Sequence, residues 1–117
     1  EKALYERLES LARRFTTGLE SSAREFGFSI STAVRGSMFG FFFLDGVVRD
    51  FDDAKRADTK LFAKFHQEML QRGVYLACSQ FETGFICAPM NESVIDESIS
   101  AARESFAAIA AESANQG

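Results

Sequence analysis

The sequence predicts an α+β domain in which helices cover one face of a small, largely antiparallel sheet. Three segments repeat apolar residues at steps of three and four, which is typical of amphipathic helices. The segments between them alternate apolar and polar residues or form short uncharged runs, as strands do. The predicted order is helix, two or three strands, helix, two short strands, helix. With 117 residues and no polar linker, residues 1–117 are predicted to form a single domain.

The first predicted helix extends to about Phe26, and Gly27 is its stop signal. Residues 1–26 are interpreted as a helix that connects this domain to further chain, or as the spine on which the sheet packs. Its apolar stripe consists of Leu4, Leu8, Leu11, Phe15 and Leu19.

Two strands are predicted next. Residues 28–35 alternate, which indicates a half-buried strand, whereas residues 38–44 carry no charge and are expected to be buried on both faces. Gly40 within the second run predicts a bulge, or the close approach of another backbone or of a ligand. Two further short strands are expected at residues 74–77 and 85–88.

The two remaining helices have recognisable ends. Asp52 or Asp53 is expected to cap the second helix, and Arg72-Gly73 to end it. Asn91 is a good cap for the third helix, whose last residues, 113–117, are expected to fray. His66 lies beside the apolar stripe of the second helix and is interpreted as a structural histidine.

Composition argues against several classes of function. With 13 basic and 17 acidic residues the net charge is −4, which disfavours binding to nucleic acid. No apolar run approaches the length of about 20 residues that a membrane helix needs. Cys78 and Cys87 indicate buried thiols rather than a disulfide framework, and no metal-ligand cluster is predicted.

The stretch of residues 79–85 is the best candidate site. It joins two short predicted strands and contains one carboxylate, Glu82, among hydroxyls, an amide and aromatic rings. Glu82 is either a solvated turn residue or a partly buried carboxylate that orients a cationic or protonated group. Ser79 and Gln80 are ordinary turn residues that also suit the hydrogen-bonding wall of a pocket.

Three motifs together carry a family resemblance. They are G-S-M-F-G-F-F at residues 36–42, M-L-Q-R-G-V-Y-L-A at residues 69–77 and S-Q-F-E-T-G-F at residues 79–85. In this order and combination they resemble the C-terminal part of the glutamate-1-semialdehyde 2,1-aminomutases. These are class III aminotransferases of fold type I that depend on pyridoxal phosphate, and the resemblance covers nearly the whole chain.

The resemblance implies an enzyme that converts glutamate 1-semialdehyde to 5-aminolevulinate for tetrapyrrole synthesis. It also implies a homodimer in the cytoplasm or the plastid stroma. Glu82 matches the family's active-site glutamate, with Ser79 and Gln80 as its neighbours in the substrate pocket. The lysine that binds the cofactor is expected upstream, so this chain alone should be inactive and should not hold pyridoxal phosphate firmly. The lysines that match no cofactor motif are Lys2, Lys55, Lys60 and Lys64.

The chain departs from the family pattern at several positions. Cys78 stands where the family has proline, Thr83 where it has alanine and Cys87 where it has serine. Pro89-Met90 replaces a common Ala-His pair. Two alternatives therefore remain: a class III aminotransferase with a different amino substrate, and a stand-alone α+β binding or interaction module.

Overall fold

The computed structural model describes residues 2–36, 38–44, 58–74, 84–85 and 91–116. The three strands form one antiparallel sheet in the order β1-β2-β3, and the helices pack on one of its faces. The predicted α+β class is therefore confirmed. The elements are α1 (Lys2–Glu25), β1 (Ser31–Arg35), β2 (Met38–Phe42), α2 (Thr59–Gln71), β3 (Gly84–Phe85) and α3 (Glu92–Gln116).

Helix α1 ends where the sequence predicts. Gly27 has φ +84°, and the Phe28 N–H donates to the Ala23 carbonyl at 2.9 Å. This is the Schellman arrangement, which satisfies carbonyls that the end of the helix would otherwise leave without donors. Leu4 is 38% exposed, so the buried stripe begins one turn later than predicted. The residues that α1 buries are Leu8, Leu11, Ala12, Phe15, Thr16, Leu19, Ser22 and Ala23.

Strand β2 buries the residues of one face and leaves those of the other exposed or half-buried, so the prediction that it is buried on both faces is wrong. Phe39 and Phe41 are buried, whereas Met38 is 36% exposed and Phe42 is half-buried. Successive side chains of a strand point to opposite faces, and the helices cover only the face that contains Phe39 and Phe41.

The β1–β2 pairing runs without interruption from Ser31↔Phe42 to Arg35↔Met38. Gly40 pairs with Ala33 in this regular register, so the predicted bulge is wrong. The first strand also begins later than expected, since residues 28–30 precede β1.

Helix α2 starts with a different cap from the one predicted. The Asp58 carboxylate accepts a hydrogen bond from the Leu61 N–H at 2.9 Å, and the helix begins at Thr59. Asp52 and Asp53 lie outside the described residues. The end of α2 is confirmed: Gly73 has φ +84°, and the N–H of the next residue donates to the Met69 carbonyl at 2.9 Å.

A cluster of phenylalanines joins the sheet to two helices. Phe65 of α2 and Phe106 of α3 are fully buried and stack with ring centroids 4.5 Å apart. Phe43, just after β2, meets both rings edge-on at 5.6 and 5.9 Å. Edge-on and stacked aromatic pairs are favourable beyond their simple burial, so this cluster is the centre of the core. His66 is half-buried and stacks on Phe62 at 6.5 Å, which agrees with a structural role.

Helix α3 begins at its predicted cap, because the Val94 N–H donates to Asn91 Oδ1 at 3.0 Å. It continues to Gln116, so the prediction of a frayed tail is wrong for most of residues 113–117. α3 packs against α1 with Ile99 lying over Gly18.

Ion pairs fix α3 against its neighbours. The Arg14 guanidinium binds both oxygens of Asp96 at 2.8 and 2.9 Å, and it holds the pKa of that carboxyl below its usual range, chiefly through this hydrogen bond. About two turns further along α3, Arg103 binds Glu25 at 2.6 Å. A guanidinium that binds both oxygens of a carboxylate fixes their relative orientation as well as attracting them. These two pairs therefore help to set the register of α3 on α1.

Candidate functional site

The structure brings two of the three motif segments together at the sheet. Strand β3, at the end of the motif at residues 79–85, pairs with β2 through Phe39↔Gly84 and Met38↔Phe85. β2 itself belongs to the motif at residues 36–42. The two segments are far apart in the sequence, and hydrogen bonding between strands makes them neighbours.

Glu82, Ser79 and Gln80 lie outside the described residues, as do Cys78 and Cys87. Their proposed roles therefore stay predictions. The structure does place the chain immediately after them, because Gly84 follows Glu82 by two positions and is paired with Phe39 at the edge of the sheet.

Arg35 is a charged residue of β1, on the other side of β2 from β3, that the sequence analysis did not single out. It pairs with Met38, which in turn pairs with Phe85, so the three positions form one row across the sheet. The signal that could have found it is its place directly before the Gly36 turn, which has φ +59°. An exposed guanidinium there gives the row one positive charge.

An open groove between α2 and α3 was not predicted from the sequence. Three of its carboxylates already have partners: Asp96 and Glu92 lie 2.8 and 4.0 Å from Arg14, and Glu104 lies 4.0 Å from Arg72. Among the described residues, no group of three His, Cys, Asp or Glu side chains could hold a metal ion. The groove is lined by Arg72, Glu92, Ser93, Asp96, Glu97, Ser100, Ala101 and Glu104.

The described lysines do not form a cofactor site. Lys2 of α1 and Lys60 of α2 are exposed, and Lys64 lies 3.7 Å from Glu112 on the outer side of α2 and α3. Lys55 is outside the described residues. A lysine that binds an aldehyde cofactor needs an enclosed, desolvated position, which these three side chains lack. In the part of the chain that the structure describes, no helix is both long and apolar enough to cross a bilayer.

Comparison with known proteins gives two close relatives in sequence. The chain is 50% identical over 113 residues to the glutamate-1-semialdehyde 2,1-aminomutase of Campylobacter hominis, and the match covers 97% of this chain and 25% of that protein. It is 46% identical over 106 residues to the enzyme of the same name from Campylobacter fetus subsp. fetus, covering 91% of this chain and 25% of that protein. No protein-family profile matches the chain.

A solved transaminase with pyridoxal phosphate bound shares the fold, with a TM-score of 0.74 at 20% identity over 96% of this chain and 25% of that one. The chain spans about a quarter of the length of the curated relatives that it matches. The identity extends over nearly all of the chain and includes both motif segments that meet at the sheet. The chain therefore belongs to the glutamate-1-semialdehyde 2,1-aminomutase family, in which it corresponds to the C-terminal quarter.

Proposed function

We propose that this chain is the C-terminal part of an enzyme that converts glutamate 1-semialdehyde to 5-aminolevulinate with pyridoxal phosphate as cofactor. The observation that carries the proposal is the 50% identity to an aminomutase over 97% of the chain. The pairing of β2 with β3 supports it, since it joins two of the three segments on which the family resemblance depends.

The described residues do not by themselves fit pyridoxal phosphate, because the lysines among them are exposed. We assign the cofactor to the part of the relatives that lies outside the matched quarter. When bound, pyridoxal phosphate supplies the electron-withdrawing ring that assists the movement of amino groups. The contribution of this chain is to shape and orient, and alone it should be inactive.

Glu82 is the residue that we propose to orient the reacting amino group. A carboxylate accepts charge-assisted hydrogen bonds from an ammonium group, and these are roughly twice as strong as neutral ones. Support comes from its position two residues before β3, whose backbone is held by β2. Ser79 and Gln80 are proposed as its hydrogen-bonding neighbours in the substrate pocket.

The function is tested with the purified full-length protein, pyridoxal phosphate and glutamate 1-semialdehyde. An aminomutase returns the amino group to the same carbon skeleton, so 5-aminolevulinate should form without any keto acid as amino acceptor. Formation of 5-aminolevulinate at the same rate with and without a keto acid supports the proposal. Absence of 5-aminolevulinate, together with transfer of amino groups to a keto acid, would reject it.

A class III aminotransferase with another amino substrate is the second candidate. The specific observation in its favour is the set of departures inside the motifs, at Cys78, Thr83 and Cys87. The same assay separates the two, because only the aminotransferase needs a keto acid. Identity to aminomutases favours either enzyme over a stand-alone binding module. The homodimer and the cytoplasmic or plastid location remain predictions from the family resemblance.

A further inference from the structure

Strand β3 is tied to the rest of the sheet by two cross-strand pairs. It has two residues, lies at one end of the strand order, and pairs with β2 through Phe39↔Gly84 and Met38↔Phe85. A strand in a globular protein usually has about five or six residues, so β3 has far fewer pairs than is common. Its position therefore depends on how firmly β2 is held at these two residues.

Gly84 adds no side chain of its own to this pairing. A glycine in a strand has nothing to pack, and it loses more backbone freedom on folding than any other residue does. An aromatic residue directly opposite such a glycine helps to pin the register of the two strands. Phe39 is that residue, and its side chain is buried. The place of Gly84 is therefore set largely by Phe39.

Phe39 is itself braced on helix α1. Its ring meets the ring of Phe15 edge-on, with the centroids 5.1 Å apart and the planes at 65°. Phe15 belongs to the buried stripe of α1 and is only 4% exposed. Edge-on aromatic pairs favour a particular geometry as well as burial, so this contact restrains the strand against the helix. A continuous series of contacts thus leads from α1 through two rings to the backbone of Gly84.

The short span between Gly84 and Glu82 links this series of contacts to the proposed site. Glu82 precedes Gly84 by two residues, so covalent geometry keeps the Cα atoms of the two within about 7 Å of each other. A shift of β3 is therefore passed on to Glu82. A group that orients a reacting atom must be held to within about 0.5 Å, and misplacement by about 1 Å can lower the rate about 100-fold.

We propose that Phe39 is a positioning residue for Glu82. Braced on Phe15, it fixes Gly84 and thereby the carboxylate two residues earlier in the chain. It acts through the backbone of β3 and takes no part in the chemistry itself. This inference rests on the proposed function, in which Glu82 orients the reacting amino group.

The test is a double-mutant cycle on kcat in the full-length protein with pyridoxal phosphate, using Phe39→Leu and Glu82→Gln. Leucine keeps position 39 apolar but removes the ring. Phe39→Leu should lower kcat about three- to tenfold, because misplacing Glu82 cannot cost more than Glu82 contributes. In the Glu82→Gln background the same substitution should change kcat by less than about twofold, since the carboxylate that Phe39 positions is absent.

Phe106→Leu is the matched control. Phe106 is fully buried in the same core, and its ring contacts Phe28, Phe43 and Phe65, none of which belongs to β2 or β3. This control should lower the melting temperature at least as much as Phe39→Leu does. Its kcat, measured well below both melting temperatures, should equal that of the wild type.

Phe15→Leu is a second variant, which decides the question if Phe39→Leu does not fold. It leaves β2 unchanged and removes the ring on which Phe39 is braced. It should lower kcat in the same way, and only when Glu82 is present.

Three results would overturn the proposal: no loss of kcat in Phe39→Leu, an equal loss with and without Glu82, or an equal loss in Phe106→Leu. Hydrogen exchange gives a readout that does not involve catalysis. The amides of residues 84 and 85 should exchange faster in Phe39→Leu than in the wild type or in Phe106→Leu, and unchanged exchange would also overturn it. Failure of the proposed function is a separate result, because the wild type then forms no 5-aminolevulinate. The cycle is in that case measured on transfer of amino groups to a keto acid, and the same coupling is expected.

Discussion

Gly18 sets the distance between α1 and α3. A Cβ at this position would lie 2.6 to 2.8 Å from three carbons of Ile99, two of which branch directly from its Cβ. A change of rotamer cannot move all of them away. Gly18→Ala should therefore destabilise the domain by about 1–2 kcal/mol, because overpacking outweighs the gain of about 1 kcal/mol in helix propensity. Hydrogen exchange of the α1 and α3 amides measures the loss.

Ile99→Ala provides the control for this prediction. With Ile99 truncated, the clash disappears and only the helix propensity remains, so adding Gly18→Ala in that background should be neutral or stabilising. Gly18→Ala is thus expected to destabilise the domain when Ile99 is present and not to destabilise it when residue 99 is alanine. An equal loss of stability in both backgrounds would show that Gly18 has another role.

Gly73 has a different reason to be glycine. Its φ of +84° lies in the left-handed region. No heavy atom of the described residues lies within 4 Å of the position that a Cβ would occupy there. Gly73→Ala should cost about 1 kcal/mol from backbone strain alone, and Gly73→Asn should cost less because asparagine tolerates this region. Thermal unfolding of the two variants gives their order, and equal melting temperatures would contradict the explanation.

At this scale the sequence predicts helix ends well but not every cap. Gly27, Gly73 and Asn91 are where the sequence places them, because each type has a strong local preference for its position. Asp58 was missed because four aspartates lie within residues 50–58, before the helix, and the capping rule does not choose among them. Gly18 could not be recognised, since its importance depends on Ile99, far away in the sequence.

At the scale of elements, the sequence does not show that the helices cover only one face of β2. Phe41, Phe42 and Phe43 are all apolar, so the sequence shows no alternation of polar and apolar residues here. In the structure burial does alternate: Phe41 and Phe43 are buried, and Phe42 is half-buried. The two buried rings, Phe41 and Phe43, contact α2 and α3, while Phe42 belongs to the other face. Only the placement of the helices decides which face is covered.

The stack of Phe65 on Phe106 joins α2 to α3 through two fully buried rings whose centroids are 4.5 Å apart. Phe65→Ala removes a fully buried ring that touches β2, its following residues and α3, and should cost about 3–5 kcal/mol. Leu70→Ala on the exposed side of the same helix is the control and should stay within about 0.5 kcal/mol. Denaturation by urea compares the two, and a similar loss in both would show that the phenylalanine cluster is not central.

The Arg14–Asp96 pair makes the docking of α3 sensitive to acid. Arg14 lowers the pKa of Asp96 in the folded protein, so the unfolded chain takes up the proton first as the pH falls, near the ordinary value of about 3.9. The stabilisation that the pair contributes is complete above about pH 5, and it is lost as the pH falls through the pKa of Asp96 in the folded protein.

Asp96→Asn should therefore lower stability by a constant amount from about pH 5 to pH 8, and the difference from the wild type should shrink below about pH 4. Because both side chains are about half exposed, the difference should also decrease at high salt. Glu97→Gln, an exposed change on the same helix, is the control. A difference that does not vary with pH would assign the effect to packing.

At the scale of the whole molecule, the motifs indicated the family but not their arrangement. The pairing of Phe39 with Gly84 joins residues that are distant in the sequence, and no local preference predicts it. Which face of β2 the helices cover could not be predicted either, because it depends on where the helices lie. Glu82 was found by its motif alone, since its surroundings lie outside the described residues.

The central claim is that Glu82 of this chain takes part in the reaction that we propose for the full-length protein. Glu82→Gln in the full-length protein tests it most directly, with Glu97→Gln as the matched control. Loss of one charge-assisted hydrogen bond is worth about 1.5–3 kcal/mol, so kcat for 5-aminolevulinate formation should fall roughly tenfold or more. The melting temperature should stay unchanged, and so should the kcat of the control. An unaltered kcat in Glu82→Gln would contradict the claim.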